Sequence, residues 1–171
     1  MTVTSDDNPH ALRWRNHSLS EWAIAQVGIC EATNKNDGEP SKLYMGGRKE
    51  PWCAHFVATG YRAIGWPLPG DIEPSLSRAN PCASVTFIET SFAKAGWLNA
   101  VDIFPEKNDL IFLSERGLSD KASTGRHVGI VVYANSTHVI SVEGNWGNAV
   151  KRVVRRRDIK TISGYGRRPS V

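Results

Sequence analysis

Cys53 has the sequence setting that best suits nucleophilic chemistry in this chain. It follows Pro51 and Trp52 at the predicted start of a helix, where unpaired N–H groups and the helix dipole stabilise a thiolate. Cys30 and Cys82 have no polar partner nearby in sequence and are expected to be structural. Three cysteines without a C-x-x-C spacing argue against both a disulfide framework and a zinc ribbon. At least one thiol is therefore expected to be free.

A catalytic cysteine needs a histidine to share its proton and a third group to orient the imidazole. His55 lies two residues after the cysteine on the same predicted helix, so its side chain points in a different direction. His10 and His17 lie in or beside a segment without periodicity, and His138 shares the strand face of its apolar neighbours. His127, at the start of a predicted strand, is the remaining candidate for the base.

The pairing of the strand that begins at His127 with the next strand indicates the third group. If residues 134–136 form the hairpin loop, His127 lies opposite Glu143, with Cβ atoms roughly 5 Å apart. A shift of two residues would instead place Asn145 opposite His127, and a shift of one would break the arrangement. Gly129 lies on the same face and leaves room for a helix N-terminus to approach.

The elements that must position these residues follow a helices-then-strands order. Ser18 and Glu21 have the spacing of a capping box, which predicts a helix over 18–33, followed by a loop over 34–47. Further helices are predicted over 51–64 and 83–95, and strands over 109–113, 127–133, 137–143, 149–155 and 161–167. This order predicts an α+β fold whose N-terminal helices pack on one face of a five- or six-stranded antiparallel sheet.

Composition indicates one ordinary globular domain. The 171 residues are 40% hydrophobic and 22% charged, with 15 glycines and 9 prolines, which excludes disordered and collagen-like classes. We expect residues 1–17 to form a flexible arm and residues 18–171 to form a single catalytic domain. The first residues lack the basic and apolar regions of a secretory signal, which predicts synthesis in the cytoplasm without a signal peptide. No apolar run approaches the roughly 18 residues that span a bilayer, so no membrane insertion is expected.

Basic residues are concentrated at the C-terminus. The formal net charge is +4, yet residues 151–171 alone hold eight Lys or Arg and only Asp158 as an acid. This pattern suits an anionic partner such as a wall polymer, phospholipid or nucleic acid, and it suits a solvated basic edge strand equally well.

Three segments, in this order, resemble the CHAP family of cysteine, histidine-dependent amidases and peptidases. This family is part of the wider NlpC-type, papain-like group of peptidoglycan hydrolases. The segments are PWCAHFV at 51–57, HVGIV at 127–131 and VEGN at 142–145. Weaker similarities are VGICE at 27–31, KNDLI at 107–111 and GYGRRP at 164–169. The resemblance spans most of the chain and implies a papain-like form of the α+β fold.

The resemblance also implies an activity, which is hydrolysis of an amide bond in bacterial peptidoglycan. The bond joins muramic acid to L-alanine, or it lies within the peptide stem or cross-bridge. Carried over residue by residue, Cys53 is the nucleophile, His127 the general base and then acid, and Glu143 the orienting group. Asn145 matches a family position that assists the site.

Three aromatic residues are further candidates near these positions. Trp52 and Trp146 flank the proposed catalytic residues and suit the walls of a substrate groove, although tryptophan is as often a core residue. Tyr44, in a loop followed by two glycines, is a candidate second oxyanion donor and is equally well explained by packing.

No cofactor is expected. Some CHAP lysins carry an acidic calcium loop before the cysteine, but residues 45–50 offer only Glu50, and residues 34–38 lack EF-hand spacing, so calcium is not favoured. No H-E-x-x-H zinc motif or phosphate-binding glycine loop is present.

Bacterial peptidoglycan is the expected partner, and no nucleic acid is expected. The protein would act on the cell wall as a phage lysin or an antibacterial effector, delivered by a holin, a phage particle or a secretion system. An effector would need an immunity protein. Two alternatives stay open, namely a catalytically silent basic module that binds wall polymer or nucleic acid, and a papain-like protease that acts on proteins.

Overall fold

The computed structural model describes residues 14–72, 80–114 and 126–169 and has an α+β architecture. Its described helices are α1 Leu19–Ala25, α2 Glu39–Tyr44, α3 Cys53–Ala63 and α4 Val85–Lys94, with a short 3-10 helix at Pro81–Ala83. The strands are β1 Leu98–Asn99, β2 Leu110–Leu113, β3 His127–Ala134, β4 His138–Glu143, β5 Lys151–Arg156 and β6 Ile162–Gly166. They form a six-stranded sheet of order β1-β6-β2-β3-β4-β5, whose pairs are antiparallel. The predicted fold class is therefore confirmed.

Each face of the sheet packs in a different cluster of buried apolar residues. Val128 and Ile130 of β3 pack in one core with helix residues such as Trp22 of α1 and Phe56 of α3. Alternate residues of β3 point to the opposite face, where Val131 belongs to a second cluster with Tyr165 of β6. Helices α1 and α3 both contact β3, so the helix layer holds the start of α3 beside the strand that begins at His127.

Helix α1 begins as predicted and ends earlier than predicted. Ser18 and Glu21 form the capping box, with the Ser18 Oγ accepting from the Glu21 N–H at 3.3 Å. The helix ends at Ala25, not near residue 33. Gly28 takes a positive φ of 100°, which glycine adopts without steric penalty, and its N–H donates to the Val150 carbonyl at 3.0 Å. The chain leaves the helix because it pairs here with the segment that enters β5.

The loop predicted over 34–47 contains a helix. Helix α2 begins after Gly38 and has Pro40 in its first turn, where a missing N–H breaks no hydrogen bond. Its buried residues include Ser41, whose hydroxyl donates to the Arg48 carbonyl at 2.6 Å. Tertiary contacts of this kind stabilise a six-residue helix that would be marginal alone.

The first described residues are packed, which differs from the arm predicted over 1–17. Trp14 is partly buried against the main core, and the His17 N–H donates to the Trp14 carbonyl at 2.9 Å. Residues 1–13 of the predicted arm lie outside the described residues. None of the helices described here is both long enough and apolar enough to cross a membrane.

Candidate active site

The register between β3 and β4 determines which side chain His127 meets. Val131 pairs with Ser141, and the register shifts between Val131 and Tyr133. Ile130 likewise pairs with Val142. Continued toward the site, this pairing places Gly129 opposite Glu143 and His127 opposite residue 145. The preferred prediction, with His127 directly opposite Glu143, is therefore wrong, and the alternative shifted by two residues is the one observed.

A tight hairpin followed by a bulge produces this register. The Asn135 N–H donates to the His138 carbonyl at 2.9 Å, and the Asn135 Oδ1 accepts from the N–H groups of Thr137 and His138. The strand pairs next to the turn, such as Ala134 with Val139, are therefore offset by one residue from the pairs near the site, such as Val131 with Ser141. A bulge between Val131 and Tyr133 produces this offset. Bulges commonly redirect side chains next to functional sites.

Glu143 reaches His127 diagonally across the face of Gly129. The His127 Nε2 and the Glu143 Oε2 are 3.0 Å apart, and both side chains are buried. A Cβ placed on Gly129 would lie 2.5 Å from the Glu143 Cγ, so only glycine leaves the carboxylate room to cross. The space beside Gly129 that the sequence suggested for a helix N-terminus is filled by the Glu143 side chain.

Cys53 is the first residue of α3, and its sulfur lies against the start of β3. The His127 imidazole and the backbone N–H groups of Ala54 and Val128 lie close enough to this sulfur to lower the pKa of its thiol. Because the His127 Nε2 contacts Glu143, Nδ1 is the ring nitrogen that remains available to Cys53. The His127 imidazole thus lies between the Cys53 sulfur at the start of α3 and the Glu143 carboxylate.

The electrostatics of this group favour a thiolate–imidazolium pair. Burial alone would raise the pKa of the Cys53 thiol, but the attraction and hydrogen bond of His127 outweigh it and the pKa lies below its ordinary value. Burial also disfavours the imidazolium, yet the Cys53 thiolate and the Glu143 carboxylate raise the pKa of His127 well above the usual range. Both shifts favour the thiolate–imidazolium form, in which a cysteine is most reactive.

Arg155 and Ser141 hold the far side of the Glu143 carboxylate. The Arg155 Nη1 and the Ser141 Oγ both donate to Oε1, and the Arg155 Nη2 donates to Oε2 at 3.0 Å. Burial would raise the pKa of Glu143, but hydrogen bonds and charge attraction from His127 and Arg155 lower it to about 2. Neither Arg155 nor Ser141 was singled out from the sequence, where Arg155 is one of eight basic residues near the C-terminus.

Asn145 and Trp146 follow the end of β4, and Trp146 lies beside the imidazole. The Trp146 ring centroid is 5.4 Å from that of His127, and the Arg155 Cζ lies 4.7 Å from the Trp146 centroid. Trp146 is partly exposed, so it covers one side of the site and keeps an open face. The Asn145 Nδ2 donates to the Asn36 Oδ1 at 3.4 Å, which links the site to the loop before α2.

Trp52 and Tyr44 are core residues and do not line a groove. Trp52 is fully buried, stacks on Tyr44 at 5.6 Å and donates its Nε1–H to the Glu31 Oε1 at 2.8 Å. The Tyr44 hydroxyl donates to Gln26 at 3.2 Å, so it is no oxyanion donor in this arrangement. The sequence did not single out Glu31, which holds Trp52, the residue before Cys53, and also accepts the Asn36 N–H at 2.8 Å.

Among the described residues, the other candidate histidines and cysteines have different surroundings. His55 is buried and contacts Glu50 at 2.8 Å, and burial lowers the pKa of the His55 ring. His138 is exposed at the start of β4, Cys30 is exposed, and Cys82 is buried. Within residues 14–72, 80–114 and 126–169, no three His, Cys, Asp or Glu side chains are grouped to hold a metal ion.

The lowered pKa of Cys53 predicts rapid alkylation in mild acid. A free thiol of ordinary pKa is only about 0.3% ionised at pH 6. We expect Cys53 to keep a much larger share of its pH 8 iodoacetamide rate at pH 6 than an ordinary thiol keeps, since its pKa is lowered. Peptide mapping after timed alkylation measures this rate, with the exposed Cys30 in the same sample as the comparison. A Cys53 rate that rises tenfold per pH unit from 6 to 8 would contradict the ion pair.

Comparison with known proteins found no family model that matches the chain and no curated protein similar to it.

Proposed function

We propose that this protein is a cysteine hydrolase that cleaves an amide bond in bacterial peptidoglycan. The observation that carries the proposal is that the partly exposed Cys53 lies beside the buried His127–Glu143 pair at the junction of α3, β3 and β4. It supplies a thiolate, a proton donor and an orienting carboxylate in one row. The resemblance of the three sequence segments to the CHAP family supplies the substrate class.

The first half of the reaction is acylation of the cysteine. The Cys53 thiolate attacks the amide carbonyl carbon, which forms the carbon–sulfur bond and places negative charge on the carbonyl oxygen. The Cys53 N–H lies in the first turn of α3, where backbone N–H groups lack helical partners, and it can donate to that oxygen. The carbon–nitrogen bond then breaks as the His127 imidazolium gives its proton to the leaving amine.

The second half is hydrolysis of the thioester. Neutral His127 takes a proton from water, whose oxygen attacks the thioester carbon, and the carbon–sulfur bond breaks to release the carboxylic acid. The Cys53 thiolate and the His127 imidazolium are regenerated, so no oxidant, reductant or metal is required for balance. Glu143 stays ionised throughout and stabilises each imidazolium state.

The setting proposed for this activity is the bacterial cell wall. The protein reaches the wall as a phage lysin or as a secreted antibacterial effector, and an effector is neutralised in the producing cell by an immunity protein. The amide cleaved is the N-acetylmuramoyl–L-alanine bond or a peptide bond of the stem or cross-bridge.

Digestion of purified peptidoglycan tests the proposed function and identifies the bond. Soluble fragments are analysed by mass spectrometry, and newly formed amino termini are labelled and identified. New L-alanine amino termini with free lactyl carboxylates indicate an amidase, whereas new termini elsewhere indicate an endopeptidase. The proposal fails if walls of several peptidoglycan types release no fragment and gain no amino terminus.

Gly129→Ala is expected to lower peptidoglycan turnover about 100-fold, the scale of effect of a 1 Å misplacement in a catalytic group. The new Cβ would overlap the Glu143 Cγ and push the carboxylate away from His127. Tyr133→Ala is the matched control, because Tyr133 lies on the same strand and is half exposed. Circular dichroism checks that both variants are folded. Wild-type turnover by a folded Gly129→Ala variant would remove the role assigned to Glu143.

A further inference from the structure

Arg155 differs from the other cations of β5 in its burial. Lys151, Arg152 and Arg156 of this edge strand are exposed, whereas Arg155 is only 9% exposed. Burial of a guanidinium is unfavourable unless charged or hydrogen-bonding partners compensate for lost hydration. The position of this one arginine on an otherwise solvated strand therefore indicates a specific partner.

That partner is the carboxylate of Glu143. Two nitrogens of the Arg155 guanidinium meet both carboxylate oxygens, which is the bidentate geometry that gives the most directional ion pairs. The Ser141 hydroxyl donates to the same carboxylate and lies 3.3 Å from the Arg155 Nη1. The Arg155 guanidinium is thus the first of four neighbouring polar groups, and Glu143, His127 and Cys53 follow it in that order.

We propose that Arg155 is a positioning residue that keeps the Glu143 carboxylate charged and aimed at the His127 Nε2, and so sustains the thiolate–imidazolium pair in acid. The part of this inference that concerns turnover rests on the proposed function. The part that concerns the reactivity of Cys53 does not.

The charges around Glu143 fix the direction of the effect. His127 approaches from β3 and Arg155 from β5, while Lys151, which pairs with Glu143 in the strand register, directs its Nζ to the Gly147 carbonyl. Without Arg155, a fully buried carboxylate loses its permanent positive partner and takes up a proton at higher pH. Protonated Glu143 no longer stabilises the imidazolium, so the Cys53 thiolate is lost at higher pH as well.

The test compares Arg155→Met and Arg155→Lys in the full chain, with Arg156→Met as the matched control. Arg156 is the next residue of β5, is exposed and pairs with Asp158 at 2.7 Å. The readout is the rate of Cys53 alkylation by iodoacetamide from pH 4 to pH 9, which requires no substrate. We expect Arg155→Met to move the acid midpoint upward by about one pH unit or more, the usual effect of an opposite charge. Arg155→Lys should move it less, and Arg156→Met should leave it unchanged.

Two further measurements separate positioning from a general structural role. Circular dichroism checks folding, and if Arg155→Met does not fold, the midpoint of Arg155→Lys decides the outcome. In a Glu143→Gln background, Arg155→Met should cause no further upward shift, because its effect passes through the carboxylate. The inference is overturned if folded Arg155 variants keep the wild-type midpoint, or if the shift persists undiminished in the Glu143→Gln background. If the acid midpoint of Cys53 alkylation shifts upward in Arg155→Met as expected but the wild-type protein does not turn over peptidoglycan, the proposed function is rejected and the role of Arg155 stands.

Discussion

Cys53→Ala is expected to abolish peptidoglycan turnover, with a loss of at least about 1,000-fold, the scale seen when a covalent nucleophile is removed. Alanine has no group that can form the thioester, and the remaining site retains only binding and oxyanion contacts. The substitution removes one sulfur at the start of α3 and leaves the helix position filled by a good helix former. Release of soluble fragments from purified walls measures the effect.

Cys30→Ala is the matched control for this substitution. Cys30 is exposed and is remote in sequence from Cys53, His127 and Glu143, so its loss should leave turnover at the wild-type level. Binding of Cys53→Ala to intact walls, measured by co-sedimentation, should be close to wild type. Equal fragment release by Cys53→Ala and wild type would show that the sulfur has no chemical role.

His127→Ala is expected to lower turnover to the same background as Cys53→Ala, because one substitution removes both the proton donor and the charge that stabilises the thiolate. The pKa of Cys53 should then rise, since burial is no longer opposed by the imidazolium. At pH 6 we expect Cys53 alkylation to fall about tenfold or more, because one pKa unit is tenfold in thiolate population below the pKa. Timed alkylation with peptide mapping measures this fall.

His138→Ala is the control, since His138 is exposed at the start of β4 and its ring contacts the hydroxyl of the neighbouring Thr137 at 2.8 Å. The double variant Cys53→Ala/His127→Ala should be no less active than either single variant, because groups that act as one unit are not additive. Unchanged Cys53 alkylation at pH 6 in His127→Ala would mean that His127 does not stabilise the thiolate.

Local sequence patterns were sufficient to predict the elements that carry Cys53 and His127. Apolar residues at helical spacing and the glycine at position 65 predicted the helix that spans Cys53–Ala63. Alternating β-branched residues predicted the strand His127–Ala134 within one residue. Because Cys53 and His127 each begin one of these elements, both could be identified before any tertiary contact was known.

The path of Glu143 to His127 could not be predicted fully, because it depends on a bulge. Residues 134–137 are compatible with several hairpin loops, and a choice between them changes the partner of every residue along β4. A three-residue loop gives the direct pairing of His127 with Glu143, and a longer loop gives the pairing of His127 with Asn145. The observed bulge places Gly129 opposite Glu143, and the carboxylate reaches the imidazole because that glycine has no side chain.

Burial was the property that sequence patterns predicted least well. Arg155 belongs to a basic run that is exposed on average, and only the alternation of β5 against β4 directs its side chain toward Ser141 and Glu143. Trp52 and Tyr44 lie near the nucleophile in sequence, yet they stack in the core beneath it. An element's type is set largely by local preference, whereas the depth of a side chain is set by which other elements cover it.

Capture of the acyl-enzyme is the most direct test of the account. Excess wild-type protein is mixed with soluble peptidoglycan fragments, quenched in acid over a series of times, and analysed by intact mass and peptide mapping. We predict an adduct with the mass of the acyl fragment on the peptide that contains Cys53, which forms with release of the amine and decays as the free acid appears. The same protein fully alkylated at Cys53 should be inactive. Turnover that continues after complete alkylation of Cys53, with no adduct at any quench time, would contradict nucleophilic catalysis by this residue.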